Sequence, residues 1–200
     1  MKILALDSSG LVASVAVVEN DTLLAEYTVN YKKTHSQTLL PMLDEISNMT
    51  ELDLSTIDAI AVAGGPGSFT GLRIGSATAK GLGLALEKPL ISIPTTAAIA
   101  YNIWDTDKFV CPIMDARRNQ VYTGVYCYTD HRLDTVWEQD TMSIEALAEG
   151  LNCLDHEVIF LGDGVAVYRE KLEALLTIPF SFAPAHVNRQ RAAGSRRSTG

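Results

Sequence analysis

The chain has little cysteine and no long apolar run. Cys111, Cys127 and Cys153 are far apart and form no CxxC pair, which argues against a disulfide framework and a zinc knuckle. No apolar stretch approaches the roughly 20 residues that a membrane helix needs. An aspartate at position 7 comes too early for a secretory leader. We therefore expect a cytoplasmic protein without a membrane partner.

An excess of positive charge is also missing. The chain carries a net charge of −8, and its last twelve residues carry four arginines, so residues 1–188 carry −12. A protein that binds nucleic acid by itself usually has the opposite sign, and any contact with RNA is expected to be indirect. With 200 residues, 47% of them hydrophobic, the chain is long enough for one large domain or two small lobes.

The most distinctive stretch is residues 61–88, AVAGGPGSFTGLRIGSATAKGLGLALEK. The pattern predicts a buried strand, a tight turn and a helix capped by Ser68 or Thr70. Glycine-rich turns before helices can bind phosphate. This turn matches neither the P-loop nor GxGxxG, and its proline lacks an N–H donor, so a structural turn is the stronger interpretation. The turn residues are Gly64, Gly65, Pro66 and Gly67.

Small residues recur every four positions in the helix that follows. Each glycine inside a helix costs about 0.5–1 kcal/mol relative to alanine, so the pattern indicates that another part of a protein approaches the helix closely. A neighbouring helix of the same fold, a partner subunit and a ligand all remain open at this point. The small residues are Gly71, Gly75, Ala79 and Gly83.

Hydrophobic periodicity predicts two similar halves, each with the element order βββαβα. In the first half we expect strands at 2–7, 12–18, 22–29 and 57–63 and helices at 36–49 and 70–86, followed by a strand at 89–93 and a helix at 95–104. In the second we expect strands at 108–115, 120–128, 133–138 and 158–161 and helices at 143–149 and 165–176. The predicted fold class is α/β with duplicated lobes at 1–104 and 105–188, and a basic tail at 189–200 that is disordered or non-native.

Three sequence runs resemble the TsaB family, also called YeaZ. They are GGPGSFTGLRIG with the following AKGL, the start MKILALDSS, and HSQTLLP. The resemblance covers about residues 1–188 and is most specific at 64–75. It implies the two-lobed fold of actin, Hsp70 chaperones and sugar kinases, and a C-terminal lobe that lacks its last helix.

The resemblance also implies partners. TsaB-family proteins pair with TsaD, which transfers a threonylcarbamoyl group to the tRNA adenosine immediately 3′ of the anticodon, and TsaE joins that complex. An isolated chain would form a homodimer through the same helical face, and tRNA would be contacted only indirectly. The interface residues expected on that face are His35, Leu39, Met42, Gly71, Gly75, Ala79 and Gly83.

In proteins of this fold, nucleotide phosphates lie near the turn after the first strand of each lobe. The resemblance therefore implies at most a weak nucleotide cleft, and no other cofactor. Alternatively, the two aspartates there cap strand ends or pair with Arg117 and Arg118. The cleft residues would be Asp7, Ser8, Ser9, Asp115, Gly162 and Gly164.

Metal ligands and catalytic groups are not expected. TsaD-like relatives carry two histidines after the strand that matches 89–93, where this chain has PTTAAIA, and those side chains cannot replace imidazole. The four histidines are scattered, without HExxH spacing. A non-catalytic subunit is therefore expected. The alternatives are an ATP-dependent phosphotransferase using Asp7 or Asp115 with magnesium, which calorimetry with Mg-ATP would reveal, and a purely structural homodimer.

Overall fold

The computed structural model describes residues 1–30 and 35–194 and divides the chain into two units. Unit 1 comprises Met1–Ala98 together with residues 190–194 of the described chain, and unit 2 comprises Ile99–Arg189. The predicted lobe boundary at 104 therefore lies six residues late, and the last described residues belong to the first unit. No helix of the described residues is long and apolar enough to cross a membrane.

Unit 1 contains one five-stranded sheet in the order β3-β2-β1-β4-β5. β1 pairs antiparallel with β2 and parallel with β4, and β5 continues the parallel side. The elements are β1 Lys2–Asp7, β2 Ala13–Glu19, β3 Thr22–Val29, α1 Leu39–Thr50, β4 Ala59–Gly65, α2 Phe69–Leu86, β5 Leu90–Pro94 and α3 Thr95–Ala100.

Unit 2 repeats this topology. Its sheet has the order β10-β9-β6-β7-β8, in which the first three strands of the unit are antiparallel and β9 and β10 are parallel additions. The duplicated βββαβα pattern predicted from periodicity is therefore confirmed. The elements are β6 Phe109–Arg117, β7 Gln120–Thr129, β8 Arg132–Ser143, α4 Ile144–Leu154, β9 Val158–Leu161, α5 Gly164–Leu175 and β10 Phe180–Phe182.

Several predicted boundaries differ from the observed ones for identifiable reasons. α1 begins only at Leu39, because His35–Gln37 form a separate 3-10 turn. α4 continues past Gly150 to Leu154. Glycine stands inside this helix because the ring of Trp137 leaves no room for a side chain: an added Cβ would lie 2.7 Å from the ring. The three-residue strand β10 is too short to give a periodic signal.

The small residues of α2 pack inside unit 1. All four are buried. A Cβ on Gly71 would lie 2.0 Å from the carbonyl oxygen of Ser8, and one on Gly75 would lie 2.5 Å from Ser8 Oγ. Near the end of the helix, a Cβ on Gly83 would lie 2.8 Å from Leu90 Cδ2. The close approach inferred from the sequence therefore involves the turn after β1 and strand β5 of the same chain.

This burial corrects the predicted interface. Gly71, Gly75, Ala79 and Gly83 face the chain's own sheet and are not available to a partner. Leu39 and Met42 are also buried, in the main apolar cluster of unit 1. The expectation that these six residues form a docking face is wrong. They lie on the buried sides of α1 and α2, and these sides build the core of unit 1.

The prediction of a disordered tail is wrong for residues 190–194. Gln190 and Ala192 are fully buried, and the guanidinium of Arg191 forms an ion pair with Glu26 on β3. The N–H of Ala192 donates to Ser14 Oγ at 2.9 Å. This segment therefore completes unit 1, whereas residues 195–200 lie outside the described part of the chain.

We predict opposite effects for two glycine substitutions in α2. Gly71→Ala should lower the free energy of unfolding of unit 1 by about 2–4 kcal/mol, because the new methyl group meets backbone that cannot move away. Gly81→Ala should raise it by about 0.5–1 kcal/mol, since nothing lies within 4 Å of a Cβ there. Both tryptophans, Trp104 and Trp137, lie in unit 2, so native-state amide hydrogen exchange of β1 is the appropriate measurement. Equal effects of the two substitutions would contradict the packing described here.

Candidate docking face and strand-end turns

The turn after β1 is tied directly to the start of α2. Ser8 Oγ donates to the Gly71 carbonyl at 2.9 Å, and the N–H of Ser68 donates to the Ser9 carbonyl at 2.7 Å. Ser68 is also the helix cap, accepting from the N–H of Gly71 at 3.2 Å. In the preceding loop, Gly67 has a φ of +154° and a Cβ there would lie 2.3 Å from the Ser9 carbonyl oxygen. Glycine is therefore required where the loop crosses this turn.

Asp7 is fully buried in the same turn. Its Oδ1 accepts hydrogen bonds from the backbone N–H of Ser9 at 2.8 Å and from Ser9 Oγ at 2.6 Å. Burial raises the pKa of Asp7 above its ordinary value, while the bonds from Ser9 and the nearby His35 oppose the shift. Asp7, Ser8 and Ser9 are thus brought together, but they serve the attachment of α2.

His35 lies beside this turn as well. Its Nε2–H donates to the carbonyl of Gly10 at 2.9 Å. The ring is half-buried, so the only predicted interface residue that keeps some exposure is anchored to the same turn.

In unit 2, Asp115 holds the corresponding turn after β6. Its Oδ1 accepts from the N–H of Arg117 at 2.9 Å and from Tyr168 Oη at 3.0 Å. Its Oδ2 lies 3.4 Å from the Arg117 guanidinium. Burial raises the pKa of Tyr168, and the hydrogen bond to Asp115 raises it further, to about 12. Asp115 therefore pairs with Arg117, as the alternative described, and its part in a nucleotide cleft stays a prediction.

Gly162 and Gly164 lie next to the same strand. A Cβ on Gly162, where φ is +106°, would lie 2.2 Å from the Ile113 carbonyl oxygen, and one on Gly164 would lie 2.9 Å from it. Sequence reasoning missed the two polar groups that complete this corner, Asp163 and Asn188. Asp163 Oδ1 accepts from the N–H of Asp115 at 3.2 Å, and Asn188 Oδ1 accepts from the N–H of Gly162 at 2.9 Å.

Burial raises the pKa of Asp163. The GDG sequence that contains Asp163 was visible, but Asn188 lies 26 residues after its hydrogen-bond partner Gly162 and gave no signal. Within residues 1–30 and 35–194, no group of three or more His, Cys, Asp or Glu side chains is placed to hold a metal ion.

The opposite side of α1 and α2 is the outer face, defined here by the exposed residues of both helices. Four large apolar side chains of the two helices are strongly exposed: Leu40 (52%), Met49 (78%), Phe69 (71%) and Leu84 (84%). Since successive residues in a helix are rotated by 100°, the exposed side of α2 also carries a second row of small residues four apart. That row is Ala77, Gly81 and Ala85.

Two features distinguish the outer face from ordinary solvent-exposed helix. The guanidinium of Arg73 lies 4.5 Å from the centre of the Phe69 ring, which restrains the ring on the surface. Gly81 has nothing within 4 Å of an added Cβ, so no contact within the described chain requires glycine there. The sequence signal for this row was its spacing of four, which the inner row shares.

Comparison with known proteins places these features in a family. The model of the family described as TsaD, tRNA N6-adenosine threonylcarbamoyltransferase, matches residues 22–193. A Bacillus subtilis relative named tRNA threonylcarbamoyladenosine biosynthesis protein TsaB is 35% identical over 176 residues, covering 88% of this chain and 77% of the relative. The chain belongs to the TsaB (YeaZ) family. The resemblance drawn from its motifs is confirmed.

Solved structures agree with that assignment. YeaZ from Pseudomonas aeruginosa has a TM-score of 0.80 and 27% identity to this TsaB-family chain, covering 94% of it and 86% of the YeaZ chain. An inorganic polyphosphate/ATP-glucomannokinase from Arthrobacter sp. strain KM matches with a TM-score of 0.55 at 14% identity, covering 97% and 96%. The second likeness shows the fold alone and confirms the sugar-kinase-like fold class.

The buried carboxyl of this TsaB-family chain gives a pH-dependent prediction. Because the pKa of Asp7 is raised on folding, its contribution to stability is complete below the pKa of the unfolded chain and is lost as pH rises through the folded value. Asp7→Asn should therefore stabilise unit 1 at pH 8 and change its stability little near pH 3.5. The measurement is the urea concentration at the midpoint of unfolding, followed by amide exchange of β1. Glu45→Gln, at an exposed position of α1, is the control. Destabilisation by Asp7→Asn at pH 8 would contradict the assigned burial.

Proposed function

We propose that this chain is a non-catalytic subunit in the biosynthesis of threonylcarbamoyladenosine in tRNA. In this proposal it binds TsaD through the outer face of α1 and α2, and TsaE joins the complex. The proposal is supported by relatives whose names assign them to this biosynthesis. The observation that carries it is Gly81, an exposed glycine without a neighbouring group in the described chain, on the helix that also exposes Phe69 and Leu84.

Packing within unit 1 does not require the glycine at position 81, which favours a role for it in binding a partner. The inner glycines of α2 are each explained by an atom of the same unit, such as Ser8 or Leu90. Gly81 has no such neighbour and costs the isolated helix about 0.5–1 kcal/mol. The small row that it forms with Ala77 and Ala85 lets a second helix approach closely. The cost of the glycine is then offset in the complex.

The apolar side chains around this row supply the binding energy. Protein interfaces are enriched in aromatic residues and methionine at their centres, and Phe69, Leu84 and Met49 are exposed here on two helices that contact each other. Arg73 fixes the ring of Phe69 before binding, so little side-chain freedom is lost when a partner covers it. In the absence of TsaD, the same face would form a symmetric homodimer.

The charge of this chain and its lack of histidine at the start of α3 suggest which roles belong to the partner subunit. The net charge of −8 disfavours direct RNA binding, so the partner supplies the contact with tRNA. At the start of α3, Thr95 and Thr96 are buried in the place where TsaD-like relatives carry a histidine pair. Hydroxyl groups do not replace imidazole as ligands of a catalytic metal, which supports transfer of the threonylcarbamoyl group by TsaD. No cofactor is assigned to this chain.

A substitution at Gly81 tests the proposed face without weakening the fold. Gly81→Leu should reduce the affinity for TsaD from the same organism at least tenfold, because the new side chain prevents the helices from approaching. It should also stabilise unit 1 slightly, since leucine is the better helix former. Isothermal titration calorimetry measures the first effect and amide exchange of β1 measures the second.

The matched control is Ala166→Leu, a change from small to large at an exposed position of α5 in unit 2. It should leave TsaD binding unchanged. Full binding by Gly81→Leu would refute the docking face, whereas failure of the unmodified chain to bind TsaD would refute the proposed function itself. Gly75→Leu is unsuitable for this purpose, because its side chain would collide with Ser8 inside unit 1.

A further inference from the structure

Gln190 is a fully buried polar residue with no partner among the described residues. Neither its Oε1 nor its Nε2 is within hydrogen-bonding reach of another group there. Its amide lies against the turn after β1, in the space that a side chain at position 10 would fill: a Cβ on Gly10 would lie 2.3 Å from Nε2. We propose that the Gln190 amide binds an internal water site enclosed beside the turn formed by residues 8–10.

Two more orphaned atoms adjoin the same turn. Asp7 Oδ2 and His35 Nδ1 are both buried without a hydrogen-bond partner in the described chain. The other atoms of these groups are fixed on the turn, Asp7 Oδ1 by Ser9 and His35 Nε2 by the carbonyl of Gly10. Three segments distant in sequence therefore each place an unsatisfied polar group beside the turn after β1.

The chemistry of these groups selects the ligand. Gln190 Nε2 can only donate a hydrogen bond, whereas Gln190 Oε1 and Asp7 Oδ2 accept. A bound anion would face the buried carboxyl of Asp7, and a bound cation would face the amide N–H groups of Gln190. Water both donates and accepts, and internal waters typically make about three hydrogen bonds to buried groups that otherwise lack partners.

The segment around Gln190 is held firmly enough to enclose such a site. Arg191 pairs with Glu26, and the N–H groups of Ala192 and Ala193 donate to Ser14 Oγ and to Glu26 Oε1. These contacts keep the Gln190 side chain in the interior although burying an unpaired amide is unfavourable. Bound water removes that conflict, because it restores the hydrogen bonds of the amide.

Gln190→Met separates a hydrated site from a dry one. Methionine has a similar volume but makes no hydrogen bond of comparable strength. If water is bound, the variant loses those bonds, and β1 amides should exchange at least tenfold faster under conditions that report unfolding of unit 1. If the amide is dry, methionine removes an orphaned polar group and exchange slows. Unchanged or slower exchange overturns the proposal, and Gln37→Met, at an exposed position of the same unit, is the control.

Two measurements on the unmodified chain make the assignment independent of that variant. A crystal structure should show solvent density within about 2.7–3.2 Å of the Gln190 amide, and the absence of density there would overturn the proposal. Replacing potassium chloride by choline chloride should leave β1 exchange unchanged. A dependence on the metal cation would overturn the identification of the ligand as water.

Discussion

The close approach of α2 to the turn after β1 determines the organisation of unit 1. A Cβ at position 71 would lie 2.0 Å from the Ser8 carbonyl oxygen, and hydrogen bonds from Ser8 Oγ and from the Ser68 N–H fix the helix against the turn. Only glycine fits at positions 71 and 75, where α2 meets Ser8. Asp7 is buried as a consequence, because the start of α2 covers the end of β1.

The same contact fixes what α2 presents to solvent. Once Gly71 and Gly75 face the sheet, the 100° rotation per residue places Ala77 and Gly81 on the opposite side. The helix therefore has two rows of small residues, of which the inner row builds the fold and the outer row remains exposed. Under the proposed function, this arrangement separates stability from recognition on one element, so the outer row can be changed without disturbing the core.

The sequence predicted the strands and helices well where the pattern was long, as in β1, β3 and α2. The spacing of small residues also indicated that another group packs closely against α2. It could not identify that group, because small residues allow a close approach by the same chain or by a partner. Leu39 and Met42 were assigned to an interface because the resemblance implied a helical docking face, and an apolar pattern does not show whether a partner or the core covers it. Residues 190–194 were missed because their partners are remote: Glu26 lies 165 positions before Arg191, and composition carries no trace of such a pair.

The most direct test of the central claim is a hydrogen-exchange footprint of the unmodified chain with and without TsaD from the same organism. The account predicts increased protection in peptides covering 39–50 and 69–86, with little change in peptides of unit 2 such as 144–154. Protection confined to unit 2, with α1 and α2 exchanging as in the free chain, would contradict the claim that the outer face binds the partner.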